Sequence, residues 1–269
     1  MTEAPLDAAR LSAAVVRPGG LWRSVEVVPV TGSTNADLLA RAAAGEPEGA
    51  VLVAEQQDAG RGRLGRAWVS PPRAALTFSV LLRPAAVPRA LLGWLPLLAG
   101  VAVAAAVRDV AAVDAQLKWP NDVLAGPAKL AGILAEAAGD AVVIGIGLNV
   151  STGPAELPPP GPGALPATSL RLQGSPDPDR ERLLAGILAG LERRYRTWSR
   201  VSGDPERSGL RAEYTGLCAT LGRRVRVELP GGRLLDGLAA GVDADGRLLV
   251  SVPPDPDLPV AAGDIVHLR

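Results

Sequence analysis

Residues Gly60-Arg61-Gly62-Arg63-Leu64-Gly65-Arg66-Ala67-Trp68 set three arginines among three glycines and close on an indole. Each guanidinium offers a planar fork of donors that fits phosphate or carboxylate, and glycine lets the backbone come close to a ligand. The stretch is built to hold an anion. Unliganded, its cations repel one another and little apolar surface anchors it, which predicts a loop that is mobile over residues 58–68 until an anion arrives. Further polar chemistry is concentrated in Lys118-Trp119-Pro120-Asn121-Asp122 and in Lys129. The 269-residue chain has a single histidine, His267, and a single cysteine, Cys218. A Ser-His-Asp triad, a His-based metal cluster and a multi-cysteine zinc site are set aside, so catalysis falls to Arg, Lys, Asp and Asn, in a reducing compartment.

Two familiar phosphate loops share letters with this stretch and neither fits. Gly60-Arg61-Gly62-Arg63-Leu64-Gly65 satisfies the dinucleotide spacing, but such a turn must open a helix and meet an acidic residue about 20 positions on. Here Trp68-Val69-Ser70-Pro71-Pro72 follows, and the region around Ala85 is apolar. A Walker A loop needs Gly-Lys-Ser/Thr, which is absent.

Period and punctuation then supply the elements that position these groups. Val25–Val30 reads as a strand, and Thr31-Gly32-Ser33-Thr34-Asn35 offers N-cap side chains ahead of a short helix over Ala36–Ala44. Strands at Val51–Glu55 and Ala75–Leu82 flank the Arg/Gly loop. An apolar helix follows from Pro88 to about Val113, interrupted by Gly93, Pro96 and Gly100 and thus better suited to a core than to a membrane. Residues 116–123 read as a strand end with a turn. Lys129–Glu136 and Ala141–Val150 are strands whose interior glycines, Gly132, Gly145 and Gly147, suggest a slot for a flat ligand packed on the sheet. Residues 151–166 are an irregular Pro/Gly-rich loop, and Asp177–Arg200 is an amphipathic core helix.

Past a boundary near Leu217–Leu221, short strands at 223–229, 232–241, 247–252 and 265–268 alternate with Pro-Gly-Gly, Asp-Ala-Asp-Gly and Ala-Gly-Asp turns, the rhythm of a small β-barrel. Domains at 1–217 and 218–269 follow. With 48% apolar residues the chain can bury a large core. Its 28 basic and 28 acidic residues balance, so no general attraction to nucleic acid or membrane is expected. The start, Met1-Thr2-Glu3-Ala4-Pro5, is unlike a secretion signal, and a cytoplasmic protein is expected.

Taken in order, Ser33-Thr34-Asn35, the Arg/Gly loop through Trp68, Lys118-Trp119-Pro120-Asn121-Asp122, Lys129-Leu130-Ala131-Gly132-Ile133-Leu134 and Gly145-Ile146-Gly147-Leu148-Asn149 resemble the biotin–protein ligase (biotin–[acetyl-CoA-carboxylase] ligase) family. The similarity continues through Ala167-Thr168-Ser169-Leu170 and the final barrel. It implies an α/β (α+β) fold, a mixed sheet flanked by helices akin to class II aminoacyl-tRNA synthetases, followed by an SH3-like barrel. It implies a two-step reaction: biotin and Mg-ATP yield biotinyl-5′-AMP and pyrophosphate, then biotin passes to one lysine of a biotin carboxyl carrier protein domain. With 32 residues ahead of Ser33, the chain resembles the monofunctional members that lack a DNA-reading helix-turn-helix; a monomer or weak homodimer, without DNA or membrane partners, is expected.

The same resemblance implies site roles. Arg63 and Lys129 would sit at the carboxylate and α-phosphate, with Arg61, Gly60 and Gly62 helping the loop close over biotin. Ser33, Thr34, Asn35 and Gln57 would hydrogen-bond the ureido ring, and Gly132, Gly145 and Gly147 would leave room for ring and tail. Arg66, Trp68, Asn121 and Asn149 would meet the nucleotide, Trp68 by stacking near adenine. Asp122 would position the acceptor amine or Mg²⁺; the metal ligands stay open. Two alternatives stand beside this reading: a lipoate–protein ligase of the same fold and a nucleic-acid-binding regulator.

Overall fold

The computed structural model describes residues 3–160, 164–229, 234–261 and 264–268. A seven-stranded mixed sheet is built from β1 (Ser24–Val28), β2 (Ala50–Ala54), β3 (Ala75–Leu82), β4 (Ala115–Lys118), β5 (Asp122–Ala125), β6 (Ala128–Ala138) and β7 (Ala141–Asn149), in the order β1-β2-β3-β7-β6-β5-β4. Only β1 and β2 pair in parallel; the remaining neighbours run antiparallel.

The strands alternate between two covered faces, as a period of two requires. On one face Leu52, Leu81 and Val143 pack against Leu38 and Ala42 of α2 (Thr34–Ala43). On the other, Val53, Val80, Leu82, Ile144 and Ile146 join the core filled by α3 (Trp94–Ala111) and α4 (Arg180–Arg200). The expected helix over 88–113 is a 3-10 turn at Arg89–Gly93 followed by α3, which stops where Ala112 turns left-handed at φ 54°. By length and composition Arg89–Ala111 is apolar enough to cross a membrane, yet 67% of its most apolar window is buried inside the protein. That places it as a core helix.

Outside the C-terminal sheet, three elements escaped the sequence reading because each is short. The Ala-rich start holds α1 (Ala8–Val15), capped by Asp7, and it is the single helix among the described residues ahead of β1. The turn after residue 118 is a hairpin, with β5 returning antiparallel to β4 across a cis Trp119–Pro120 bond. Helix α5 (Leu210–Leu217) precedes the C-terminal sheet.

That sheet is five-stranded and antiparallel, in the order β11-β10-β9-β8-β12, consistent with an SH3-like barrel. Its strands are β8 (Arg224–Glu228), β9 (Leu234–Val242), β10 (Leu248–Ser251), β11 (Leu258–Val260) and β12 (Asp264–His267). The sequence reading missed β11 and began the strand that is β9 at residue 232, which lies outside the described residues. Two buried indoles fasten this sheet to the rest: Trp94 Nε1 donates to Ala244 O at 2.7 Å and Trp119 Nε1 to Gly246 O at 3.0 Å. Val225, Val227, Ala239 and Val250 belong to the same apolar cluster as α3, so both sheets share one core.

Candidate active site

The sheet register builds the floor of the site. Thr77 of β3, Gly147 of β7, Gly132 of β6, Asp122 of β5 and Lys118 of β4 are successive register partners, one row running across five strands. Partners in an antiparallel ladder point to the same side, so the row presents small residues at one end and charged ones at the other. Lys129 would face away from this row by simple alternation from Gly132. A bulge corrects that: Asp122 pairs with Gly132 while Leu124 pairs with Lys129, which leaves β6 one residue longer and re-aims Lys129. Lys129 Nζ then lies 2.7 Å from Asp122 Oδ1.

A cavity of about 210 Å³ sits over this row. Its wall includes Ser33, Thr34, Asn35, Gln57, Arg61, Gly62, Arg63, Arg66, Trp68, Asn121, Asp122, Lys129, Gly132, Gly145 and Gly147. Residues scattered from 33 to 147 are thus brought to one concavity. Ser33 does two things: its Oγ caps α2 by accepting from Ala36 N at 3.4 Å, and the cap sets Thr34 and Asn35 at the buried first turn.

These first-turn side chains form a continuous polar wall. Thr34 N donates to Gln57 Oε1 at 2.8 Å, Ser79 Oγ lies 2.7 Å from Thr34 Oγ1 and donates to Asn35 Oδ1 at 2.6 Å, and Asn35 Nδ2 donates to Glu136 Oε2 at 2.7 Å. A fixed set of amides and hydroxyls of this kind can present both donors and acceptors to a flat heterocycle. Gly145 is required here, because a Cβ would stand 2.2 Å from Asn35 Oδ1.

The cationic side comes from the loop and the β4–β5 hairpin. Above Asp58 and Ala59, whose amides donate to Thr31 O and Gly32 O, the loop folds as its own small hairpin: Gly62 N donates to Arg66 O at 2.6 Å and Trp68 N to Gly60 O at 2.9 Å. Gly60 is not on the wall; a Cβ there would stand 2.4 Å from Trp68 O. Arg63 Nη1 donates to Asn121 Oδ1 at 3.1 Å, and Asn121 Nδ2 donates to Ile133 O at 2.8 Å. Burial draws the Arg63 guanidinium pKa below its ordinary value, opposed by nearby Asp122 and reinforced by Arg66. Arg63 and Lys129 are therefore held by consecutive residues of one turn and open on one cavity.

Trp68 lies against the floor. A Cβ on Gly147 would stand 2.3 Å from Trp68 Cε2, and Trp68 Nε1 is buried with no hydrogen-bond partner among the described residues. The glycine slot inferred from sequence thus exists, and the protein's own indole rests in part of it. Asn149 requires a correction: it is not on the cavity wall, and its Nδ2 donates to Thr168 O at 2.9 Å, tying the end of β7 to the chain that follows.

Several wall residues were not singled out from sequence. Thr77, on the wall, and Ser79, fully buried beside it, sit two apart in a strand that is otherwise apolar, and that pattern was the available signal. Lys118 was read only as part of its motif. Glu228, Ile265 and Val266 come from the C-terminal sheet, so the two sheets enclose the cavity together. Among the described residues no group of three or more His, Cys, Asp or Glu could hold a metal.

Comparison with known proteins agrees with this geometry. The pattern of the biotin/lipoate A/B protein ligase family matches residues 27–149, and that of the biotin protein ligase C-terminal domain matches residues 220–268. A biotin–[acetyl-CoA-carboxylase] ligase of Mycobacterium tuberculosis is 47% identical over 98% of this chain and 97% of its own length. One from Paracoccus denitrificans is 33% identical over 83% of this chain and 92% of its own. The biotin protein ligase of Aquifex aeolicus, solved with biotin and ATP, superposes with a TM-score of 0.76 at 26% identity, covering 92% of this chain and all of the other. From the floor of the cavity to the length of the chain, this protein belongs to the biotin protein ligase family.

Proposed function

We propose that this chain joins biotin to protein in two steps, forming biotinyl-5′-AMP with release of pyrophosphate and then transferring biotin to one lysine of a carboxylase's biotin carboxyl carrier domain. The observation that carries the reading is the convergence of Arg63 and Lys129 on one cavity beside a glycine floor and a polar amide wall. Attack of a carboxylate on the α-phosphate of ATP brings two anions together, and cations fixed in advance stabilise the charge of that transition state. Arg63 and Lys129 take this role; Arg61 and Arg66 add charge from the loop.

Ser33, Thr34, Asn35 and Gln57 orient the ureido ring, with Gly132, Gly145 and Gly147 leaving room for ring and tail. Trp68 and Asn121 serve the nucleotide side, and Asp122 positions the incoming amine. The loop from 57 to 68 closes over the adenylate and keeps water from hydrolysing it. Mg²⁺ usually takes one or two carboxylates together with substrate phosphates. Asp122 and Glu228, the carboxylates on this wall, suit an ion that arrives with ATP and screens its phosphate charge. Residues 1–217 act as the catalytic domain and 218–269 as the barrel. The protein works in the cytoplasm as a monomer or weak dimer, without DNA or membrane.

The test is incubation with Mg-ATP, a carrier domain and either biotin or lipoate. A biotin-sized mass gain on one carrier lysine supports the reading. Loading of lipoate in preference to biotin replaces it with the lipoate ligase, and salt-sensitive binding to DNA without any loading replaces it with the regulator.

A further inference from the structure

The row across the sheet does not stop at Asp122. Its last member, Lys118, pairs with Asp122 at the end of β4 and lines the same cavity. Adjacent strands are about 4.8 Å apart, so the row extends roughly 14 Å from Gly147 on β7 to Lys118 on β4. In order it offers a slot for the ring, a charged centre where Lys129 meets Asp122, and then a lone ammonium. No hydrogen bond or ion pair reaches the Lys118 amine among the described residues. Its register partner, Asp122, already pairs with Lys129 at 2.7 Å. Burial draws the Lys118 pKa below its ordinary value, and although Asp122 opposes this, Lys129, Arg63 and Arg66 push the same way. Keeping a cation half-desolvated among like charges is unfavourable unless a multiply charged anion shares the space.

The in-line geometry of phosphoryl chemistry says which anion. A carboxylate arriving from the glycine end attacks the α-phosphorus held near Lys129, and the leaving group departs on the opposite side. That side is Lys118. We propose that the Lys118 ammonium receives the β- and γ-phosphates of ATP and stabilises the departing pyrophosphate. The bond formed joins the biotin carboxylate oxygen to the α-phosphorus; the bond broken is from the α-phosphorus to the bridging oxygen, whose electron pair leaves on pyrophosphate. Lys118 supplies charge and hydrogen bonds and transfers no proton. The inference rests on the ligase reading and assigns a residue to one end of its first step.

The experiment compares wild type, Lys118→Met and Lys118→Arg in three measurements: biotin-dependent ATP–pyrophosphate exchange, pyrophosphate inhibition of adenylation, and transfer from biotinyl-5′-AMP supplied ready-made. Lys118→Met is expected to slow exchange on the order of 10²-fold, the scale for losing one fixed donor to developing charge. It should weaken pyrophosphate inhibition in parallel while leaving biotin affinity and transfer from supplied adenylate unchanged, and Lys118→Arg should restore much of the exchange. Equal losses in exchange and in transfer, or unchanged pyrophosphate inhibition, overturn the assignment. If Lys118→Met fails to bind biotin, Lys118→Arg decides: inhibition and exchange that change together support the role, and separate changes refute it. Absence of exchange in wild type refutes the ligase reading itself, a result distinct from any effect confined to the variants.

Discussion

The indole of Trp68 rests on Gly147 so closely that a methyl group on that glycine would come within 2.3 Å of Cε2. The contact joins the last residue of the arginine loop to the middle of the sheet. Whatever enters the slot must share it with this ring or move it.

Gly147→Ala is therefore expected to displace Trp68 and crowd the slot. Overfilling a packed site costs about 1–3 kcal/mol, or roughly 30-fold in binding at the middle of that range. Calorimetric titration with biotin checks this, and affinity equal to wild type speaks against the slot. Combining Gly147→Ala with Trp68→Ala should lose less than the sum of the two changes, because each disturbs the same contact.

The loop is expected to lose mobility when ligand binds. Its base is tied to Thr31 and Gly32, while the backbone hydrogen bonds of Gly62, Arg66 and Trp68 run within the loop itself. Such a unit can swing as one piece. Limited trypsin digestion reads it directly: cleavage after Arg61, Arg63 and Arg66 should slow with biotin and ATP present, and equal rates with and without ligand contradict closure.

A buried ion pair secures the sheet just below that loop. Arg180 Nη1 reaches Glu55 Oε2 at 2.6 Å with both side chains almost fully enclosed, and Glu55 Oε1 also accepts from Leu6 N at 2.6 Å. Arg180 Nη2 donates to Ala4 O at 2.6 Å, so the pair clamps the N-terminal segment across β2 and α4. Arg180→Met would leave the Glu55 charge buried and uncompensated, a change of about 3–5 kcal/mol. Urea denaturation at fixed pH measures it; a loss below about 1 kcal/mol, typical of surface pairs, contradicts the clamp.

His267 gives the protein a specific acid sensitivity. Its ring, bonded to Thr220 Oγ1 at 3.1 Å, has a pKa drawn down to about 4 by burial first and by Lys118 and Arg223 after it. The folded state thus disfavours the protonated ring relative to the unfolded chain, whose value is near 6.5. This contribution is fully present above about pH 6.5 and is lost as pH falls towards about 4. His267→Gln should flatten that part of the stability profile measured by denaturation across the same range. A slope unchanged by the substitution removes His267 as the source.

Much of this was legible in the sequence because local chemistry and tertiary role coincided. Ser33 is a good N-cap residue, and capping α2 is what delivers Thr34 and Asn35 to the wall. Gly132, Gly145 and Gly147 weaken their strands, and the room they leave is the cavity floor. What stayed hidden depended on register. No spacing rule brings Lys118 alongside Gly132 by way of Asp122, and the bulge that turns Lys129 back into line is a property of pairing. Asn149 misled for the opposite reason: the polar residue ending a glycine-rich strand looks like a ligand contact, yet it holds Thr168 O. Glu228, Ile265 and Val266 reach the site only through the docking of the second sheet.

Joint action of Arg63 and Lys129 on one acid and one phosphate is measured by biotin-dependent ATP–pyrophosphate exchange in wild type, Arg63→Ala and Lys129→Ala. Exchange in wild type should require biotin and should fall on the order of 10²–10³-fold in either variant, the scale for removing one fixed group that stabilises developing charge. Full exchange in either variant, or exchange in wild type that ignores biotin, contradicts it.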